Sequence, residues 1–274
     1  MRKFIISSFA ATAGLIATGA HAQAVSPATT YILTVPAYTQ DFDTLALTGT
    51  SNVLPAGFQI AEGGAGGAAD GFYAAGTGSS NAGNAYSFGA TGSNDRSLGS
   101  LTSGSVTPIL FGAVFANGLG SAITDLTIGY TGEQWRVGNA TGNLLAFEYS
   151  TNATSLTTGN WIRASTLDFL PLFMNGTSTG SALDGNLATN QRSISATLSG
   201  LSIGSGSGFG FRWSEADSTG SDQGLAIDNL SIRATTAQLQ GAVPEPSTWA
   251  MLLLGFGAVG WLMRRRRRTM SAIG

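Results

Sequence analysis

The chain has 274 residues, of which 43% are hydrophobic and 10% charged, with 13 Lys and Arg against 15 Asp and Glu and no cysteine. The missing cysteine excludes a disulfide scaffold, a thiolate zinc site and a cysteine nucleophile. The length allows one or two domains, and all-β domains of about 200–250 residues are often single.

The N-terminus predicts a secretory signal peptide over residues 1–22. Arg2 and Lys3 give it a positive start. Phe4 to Ile16 is a short apolar stretch, too short for an anchor, and Ala20-His21-Ala22 is a small-x-small cleavage site. Cleavage after Ala22 removes His21, the single histidine, together with Lys3, the single lysine. Imidazole general bases, Ser-His-Asp triads, histidine metal sites and Schiff-base lysines are then all unavailable to the mature body. From Gln23 to Pro246 six arginines face fifteen acidic residues, a net charge of −9. Such a body repels nucleic-acid backbones, so no nucleic-acid partner is expected, and it could attract divalent cations.

Short alternating segments recur along the body. Ile109, Phe111, Ala113 and Phe115 share one face, as do Leu126, Ile128 and Tyr130, then Leu145, Phe147 and Tyr149. Ile194, Ala196 and Leu198 repeat the pattern, and Phe209, Phe211 and Trp213 give its clearest stripe. Period two with Gly, Asn, Ser and Asp between the runs predicts half-buried strands in a sandwich or barrel. Leu225 to Ala234 predicts the last strand, with a bulge near Asp228-Asn229 because the apolar parity switches there. Its expected neighbour is an N-terminal strand at Tyr31 to Val35, since domain termini are often close. Ala56 to Gly83 holds nine glycines and predicts a long loop or an irregular edge. The expected architecture is all-β, a jelly-roll-like antiparallel β-sandwich over residues 23–237.

Three clusters carry candidate chemistry. Glu133, Trp135 and Arg136 form one: an exposed Trp beside a carboxylate and a guanidinium would suit a sugar ring, while a buried Trp with an Arg–Glu pair would pin a loop. Asp217, Asp222 and Asp228, with Glu215, form the second, and its turn supplies oxygens that could hold calcium; the alternative is a solvated acidic turn. Glu133 with Glu148 is the third, a carboxylate pair of the kind glycoside hydrolysis needs. The two Gly-x-Ser-x-Gly matches, Gly176 to Gly180 and Gly200 to Gly204, lack a histidine partner and are expected to be chance.

Asp41-Phe42-Asp43-Thr44-Leu45, Tyr86-Ser87-Phe88-Gly89 and Asp95-Arg96-Ser97-Leu98-Gly99 occur in that order along the body. Tyr130 to Arg136, Leu183-Asp184-Gly185-Asn186, Arg212-Trp213 and Asp222 to Asn229 follow them. Together they resemble an uncharacterised β-sandwich module of secreted bacterial proteins, from Tyr38 to Ala234. That resemblance implies an accessory or surface module and transfers no catalytic residue.

After a short linker, 238–243, comes Pro244-Glu245-Pro246. Ser247 to Met263 is seventeen residues without charge, about 25 Å as a helix. This predicts one C-terminal transmembrane helix over 247–263, with Trp249 and Trp261 near its ends. Arg264, Arg265, Arg266, Arg267 and Arg268 follow and would stay cytoplasmic, leaving the body outside. Physically the tail could be a permanent anchor. Motif, apolar span and Arg cluster in this order resemble the PEP-CTERM family of exported bacterial proteins. The resemblance implies a sorting tag over 244–268 and an exosortase-like processing enzyme as partner. It implies a transient stay in the inner membrane with the body in the periplasm, then the cell surface or exopolysaccharide matrix of a biofilm. The expected function is thus an exported, non-catalytic surface or matrix protein. The alternatives are a carbohydrate- or calcium-binding module, with polysaccharide as partner, and a carboxylate-based extracellular hydrolase.

Overall fold

A computed structural model describes residues 23–27, 29–237 and 246–270, with side chains in the last segment only over 249–264. The expected signal peptide (residues 1–22), the linker, Pro244 and Glu245 lie outside the described residues. The chain divides into a body and a tail as separate units, with the boundary at Thr236/Ala237.

The body is built from strands β1 (Ala24–Val25), β2 (Tyr31–Leu33), β3 (Ala37–Gln40), β4 (Thr50–Ser51), β5 (Phe58–Glu62), β6 (Tyr73–Gly76), β7 (Asn84–Phe88) and β8 (Ser97–Leu101). They are followed by β9 (Ile109–Asn117), β10 (Ile123–Val137), β11 (Ala146–Ser150), β12 (Ile162–Arg163), β13 (Ser181–Ala182), β14 (Gln191–Ile203), β15 (Gly208–Glu215) and β16 (Gly224–Thr236). One sheet has the order β1-β5-β9-β15-β11-β12, with β2 also on β9; the other runs β13-β10-β16-β8-β7-β6-β4, with β14 on β10 and β3 on β16. Pairing is antiparallel except for β2 with β9 and β6 with β7. The two sheets close on one core as a β-sandwich. Tyr130 of one sheet meets Trp213 of the other edge-on at 5.1 Å between ring centroids, and Tyr38 meets Phe115 at 5.3 Å.

The predicted stripes form the core-facing positions of β9, β10, β11 and β15, and Ile109, Phe111, Ala113, Phe115, Phe209, Phe211 and Trp213 are all buried. Strand β9 is buried on its second face too, where Leu110 and Val114 pack with Ala61 and Leu156. The predicted bulge in β16 is present. Asp228 pairs with Thr131 and Ser231 with Gly129, so β16 carries one extra residue across that step. Asn229 takes it up with φ of 51°, a left-handed conformation that Asn tolerates better than most residues.

The bulge also divides one edge of β16. Before it, Leu225 to Ile227 pair with β8; after it, Leu230 to Arg233 pair with β3. The N-terminal partner of the last strand is therefore β3, while β2, which holds Tyr31, crosses to the opposite sheet and pairs with β9. The Ala56–Gly83 segment is likewise more ordered than its glycines suggest, since it contains β5 and β6. Strand β5 is buried along its whole length, so no alternation marks it. Its Glu62 carboxylate accepts the N–H groups of Ala85 (2.7 Å), Gly71 (3.0 Å) and Asp70 (3.3 Å), which ties the glycine-rich turn back onto the strand.

The tail forms helix α1 (Pro246–Met270), which begins at the second proline of the triplet, where a ring without an N–H is tolerated. It runs on through the Arg cluster instead of stopping at Met263. Among the described residues no helix is long and apolar enough to cross a membrane, which corrects the expectation of a transmembrane helix over 247–263. Gly255, Gly257 and Gly260 contribute no apolar side chain to the segment, and the arginines occupy its last turns.

Candidate functional site

The Glu133–Arg136 run lies in the last stretch of β10, just before Val137, and every residue of it is buried. Trp135 lies 6.0 Å from Phe88, ring parallel to ring, in a cluster with Tyr86, Leu101 and Ala226. Its Nε1 donates to Glu133 Oε2 at 2.9 Å. Gly185 lies against the indole, close enough that a Cβ there would stand 2.4 Å from the ring. An exposed stacking platform at Trp135 is thereby excluded; the ring is 1% accessible. Nor does Arg136 pair with Glu133. Arg136 Nη1 donates to the Gly78 carbonyl at 3.0 Å and Nη2 to that of Thr179, so the guanidinium clamps two loops. Gln134 does similar work: its Oε1 accepts from the Leu172 and Phe173 N–H groups, both at 2.9 Å. Burial, which disfavours the charged form, pushes the Glu133 carboxyl above the ordinary range.

The three aspartates do not converge. Asp228 is buried at the bulge beside Asn229, whose Nδ2 donates to Oδ2 at 2.6 Å, while Oδ1 has no partner. Burial, followed by the charge of Glu133, pushes its carboxyl up to about 8. Asp217 and Asp222 belong instead to the β15–β16 turn. Asp222 accepts from Thr102 Oγ1 and from the Ser218 N–H, both at 3.2 Å. Burial, with the neighbouring Asp217 adding to it, pushes the Asp222 carboxyl up to about 6. Glu215 is fully buried behind them, takes a hydrogen bond from Ser100 Oγ, and is pushed well up by that burial. Among the described residues no group of three or more His, Asp or Glu side chains could hold a metal ion. The calcium reading at Asp217, Asp222 and Asp228 fails on this separation.

Glu133 and Glu148 also lie apart, in β10 and β11 of opposite sheets. Glu148 is ion-paired with Arg212 at 2.7 Å, and Arg212 in turn lies over the Trp161 ring at 4.2 Å. A carboxylate dyad across one cleft is not formed. Of the Gly-x-Ser-x-Gly matches, the second lies largely within β14 and the first in the loop before β13; neither is a strand-to-helix turn.

The structure does bring together residues that the sequence assigned to different clusters. Arg136, Asp217 and Asp222 line one cavity of about 290 Å³ at an end of the sandwich. Thr102 and Ser103, beyond the end of β8, and Thr179, before β13, add hydroxyls to its wall. Arg136 is 3% accessible, and its Nε has no partner. Segments from six strand ends meet here, where the hydrogen-bonded neighbours β10, β16 and β8 terminate or begin together. The sequence signal for this convergence is slight: each contributor is a polar residue just outside an apolar run.

Residues 242–268 match the PEP-CTERM protein-sorting motif. No curated protein matches the chain in sequence. Among solved structures, the chain is similar to TmCBM61 in complex with beta-1,4-galactotriose, at 9% identity and a TM-score of 0.29, over 53% of this chain and 74% of that one. It is similar to the enzymatically active domain of bacteriophage CBA120 tailspike protein 4, at 9% identity and a TM-score of 0.35, over 65% of this chain and 19% of that one. A third is the CBM22-1–GH10 portion of Clostridium thermocellum xylanase 10B complexed with xylohexaose, at 12% identity and a TM-score of 0.29, over 58% of this chain and 26% of that one.

Proposed function

We propose that the chain is an exported, non-catalytic protein of the cell surface or exopolysaccharide matrix, addressed there by its tail. The observation that carries this reading is the sorting-motif match over 242–268. Residues 1–22 are removed on export, 23–237 form the working body, and 238–243 link it to a tag at 244–268. An exosortase-like enzyme reads Pro244-Glu245-Pro246 during a transient stay of the tail, with Arg264 to Arg268, at the inner membrane. The body suits this address: it carries no histidine, cysteine or lysine, and its six arginines against fourteen acidic residues give a net charge of −8. Three of its carboxylates serve the fold. Glu62 holds a turn, Glu133 orients Trp135 and Glu148 pairs with Arg212. Mass spectrometry of the surface fraction tests the reading. The expected species begins near Gln23 and lacks the residues after the proline motif, and a strain without the processing enzyme accumulates the tailed form in membranes. Recovery of intact Met1 to Gly274 from a membrane-free lysate would overturn it.

A further inference from the structure

We infer that the cavity bounded by Arg136, Asp217 and Asp222 is a binding site for a neutral polyhydroxylated ligand, a single sugar ring or the end of a chain of them. The inference concerns what the body holds and stands independently of where the protein is sent.

The wall chemistry selects the ligand. Carboxylates only accept hydrogen bonds, a guanidinium only donates, and hydroxyls do both. Two carboxylates, one guanidinium and the hydroxyls of Thr102, Ser103 and Thr179 surround about 290 Å³. A sugar's vicinal hydroxyls each offer one donor and two acceptor lone pairs, the complement of this wall. The volume lies near the lower end for small-molecule sites, about 300 Å³. Charge disfavours two other classes of small ligand. The guanidinium on the wall opposes a metal cation, and the two carboxylates oppose an anion.

The groups are also held in place before any ligand arrives. Arg136 is fixed from two sides, by the carbonyls of Gly78 and Thr179, and its Nε still lacks a partner. Asp222 is fixed by Thr102 Oγ1 and the Ser218 N–H at 3.2 Å each, with the Asn143 side chain also in hydrogen-bonding reach. The Asp217 carboxylate stands within hydrogen-bonding reach of Asp222. Two ionised carboxylates in contact repel unless a donor enters between them. Burial raises the Asp222 carboxyl, so at low pH a proton fills that place. At neutral pH a ligand hydroxyl does so. Because no aromatic ring lines the cavity, recognition is by hydrogen bonds to the sugar's edge, without stacking on its face.

The test uses the full chain in detergent at neutral pH, with the methyl glycosides of glucose, galactose and mannose as probes in NMR titrations. At least one glycoside should bind. Asp217→Asn should weaken that binding about tenfold, the loss of a charge-assisted hydrogen bond. Asp217 is exposed, so this variant should keep the wild-type melting transition, and it decides the matter even if Asp222→Asn proves unstable. Three outcomes overturn the inference. None of the three glycosides binds; or binding survives Asp217→Asn unchanged; or calcium chloride alone raises the melting temperature in an Asp217-dependent manner while no glycoside binds.

Discussion

Asp228 concentrates the unusual electrostatics of the body in one side chain. It is 4% accessible, one of its oxygens has no partner, and the acidic groups nearest to it electrostatically are Glu133, Asp95 and Asp43. A carboxyl raised in the folded state takes up its proton more readily folded than unfolded. The stability it contributes is therefore present at low pH and is lost as pH rises through the folded value. For Asp228 that window runs from the ordinary carboxylate range up to about 8. Asp222 contributes with the same sign up to about 6, and Glu133 and Glu215 are shifted in the same direction. Thermal melts should thus show the protein more stable at pH ~5 than at pH ~8. Asp228→Asn keeps an acceptor for Asn229 Nδ2 and removes the charge. It should raise the melting temperature at pH ~8 by a few degrees, on the scale of ~2–4 °C per kcal/mol for a domain of this size, and change little at pH ~4. A variant that melted lower at pH ~8 would mean that the carboxylate is stabilised as an ion. Gly185 offers a second single-residue test. A Cβ at this position would stand 2.4 Å from the Trp135 ring, so Gly185→Ala should cost about 1–3 kcal/mol by overpacking. Near-UV circular dichroism should report a displaced indole.

At the scale of the element, the last strand shows what a sequence pattern can and cannot specify. Leu225 and Ile227 share one parity and Leu230, Ile232 and Ala234 the other, and an extra residue is the one device that keeps all of them buried. That inference needed only the strand itself, and the bulge is where the pattern requires it. Deleting Asn229 should turn Leu230, Ile232 and Ala234 to solvent or break the pairing with β8. Either outcome should abolish the cooperative melt, whereas Asn229→Gly, which also accommodates a positive φ, should fold. The neighbour of the strand was less legible: β3 and β2 are both short and both N-terminal, and nothing in Tyr31 to Gln40 says which sheet each joins. Strand β5 was illegible for a different reason. Burial on both faces removes the alternation, and the polar Gln59 and Glu62 find their partners outside the strand. Gln59 Oε1 accepts from Leu156 N at 3.2 Å, a contact that no local reading anticipates.

For the whole molecule, the sandwich followed from the stripes, but the cavity did not. Alternation assigns side chains to faces, whereas a site at the end of a sandwich depends on which strand ends coincide. That is set by long-range register: β10 pairs with both β14 and β16, and β16 with β8 and β3. Arg136 was therefore grouped with its sequence neighbours Glu133 and Trp135, and Asp222 with Asp228, although Arg136 and Asp222 share a wall and their former companions serve the interior. The same register argument bears on the tail. All residues of the main core lie between Leu33 and Ala234, and the last of them sits on β16, which is paired along both edges. The elements that complete the sandwich are thus all present by Thr236. A chain ending at Ala237 should fold to the same cooperative transition as the full chain, within a few degrees, and should remain soluble without detergent. It should also retain any glycoside affinity measured on the full chain, because Arg136, Asp217 and Asp222 all precede the cut. A truncated chain that failed to melt cooperatively would show that residues beyond Thr236 contribute to the body, and the division of the molecule into a self-sufficient body and a separate tail would be lost.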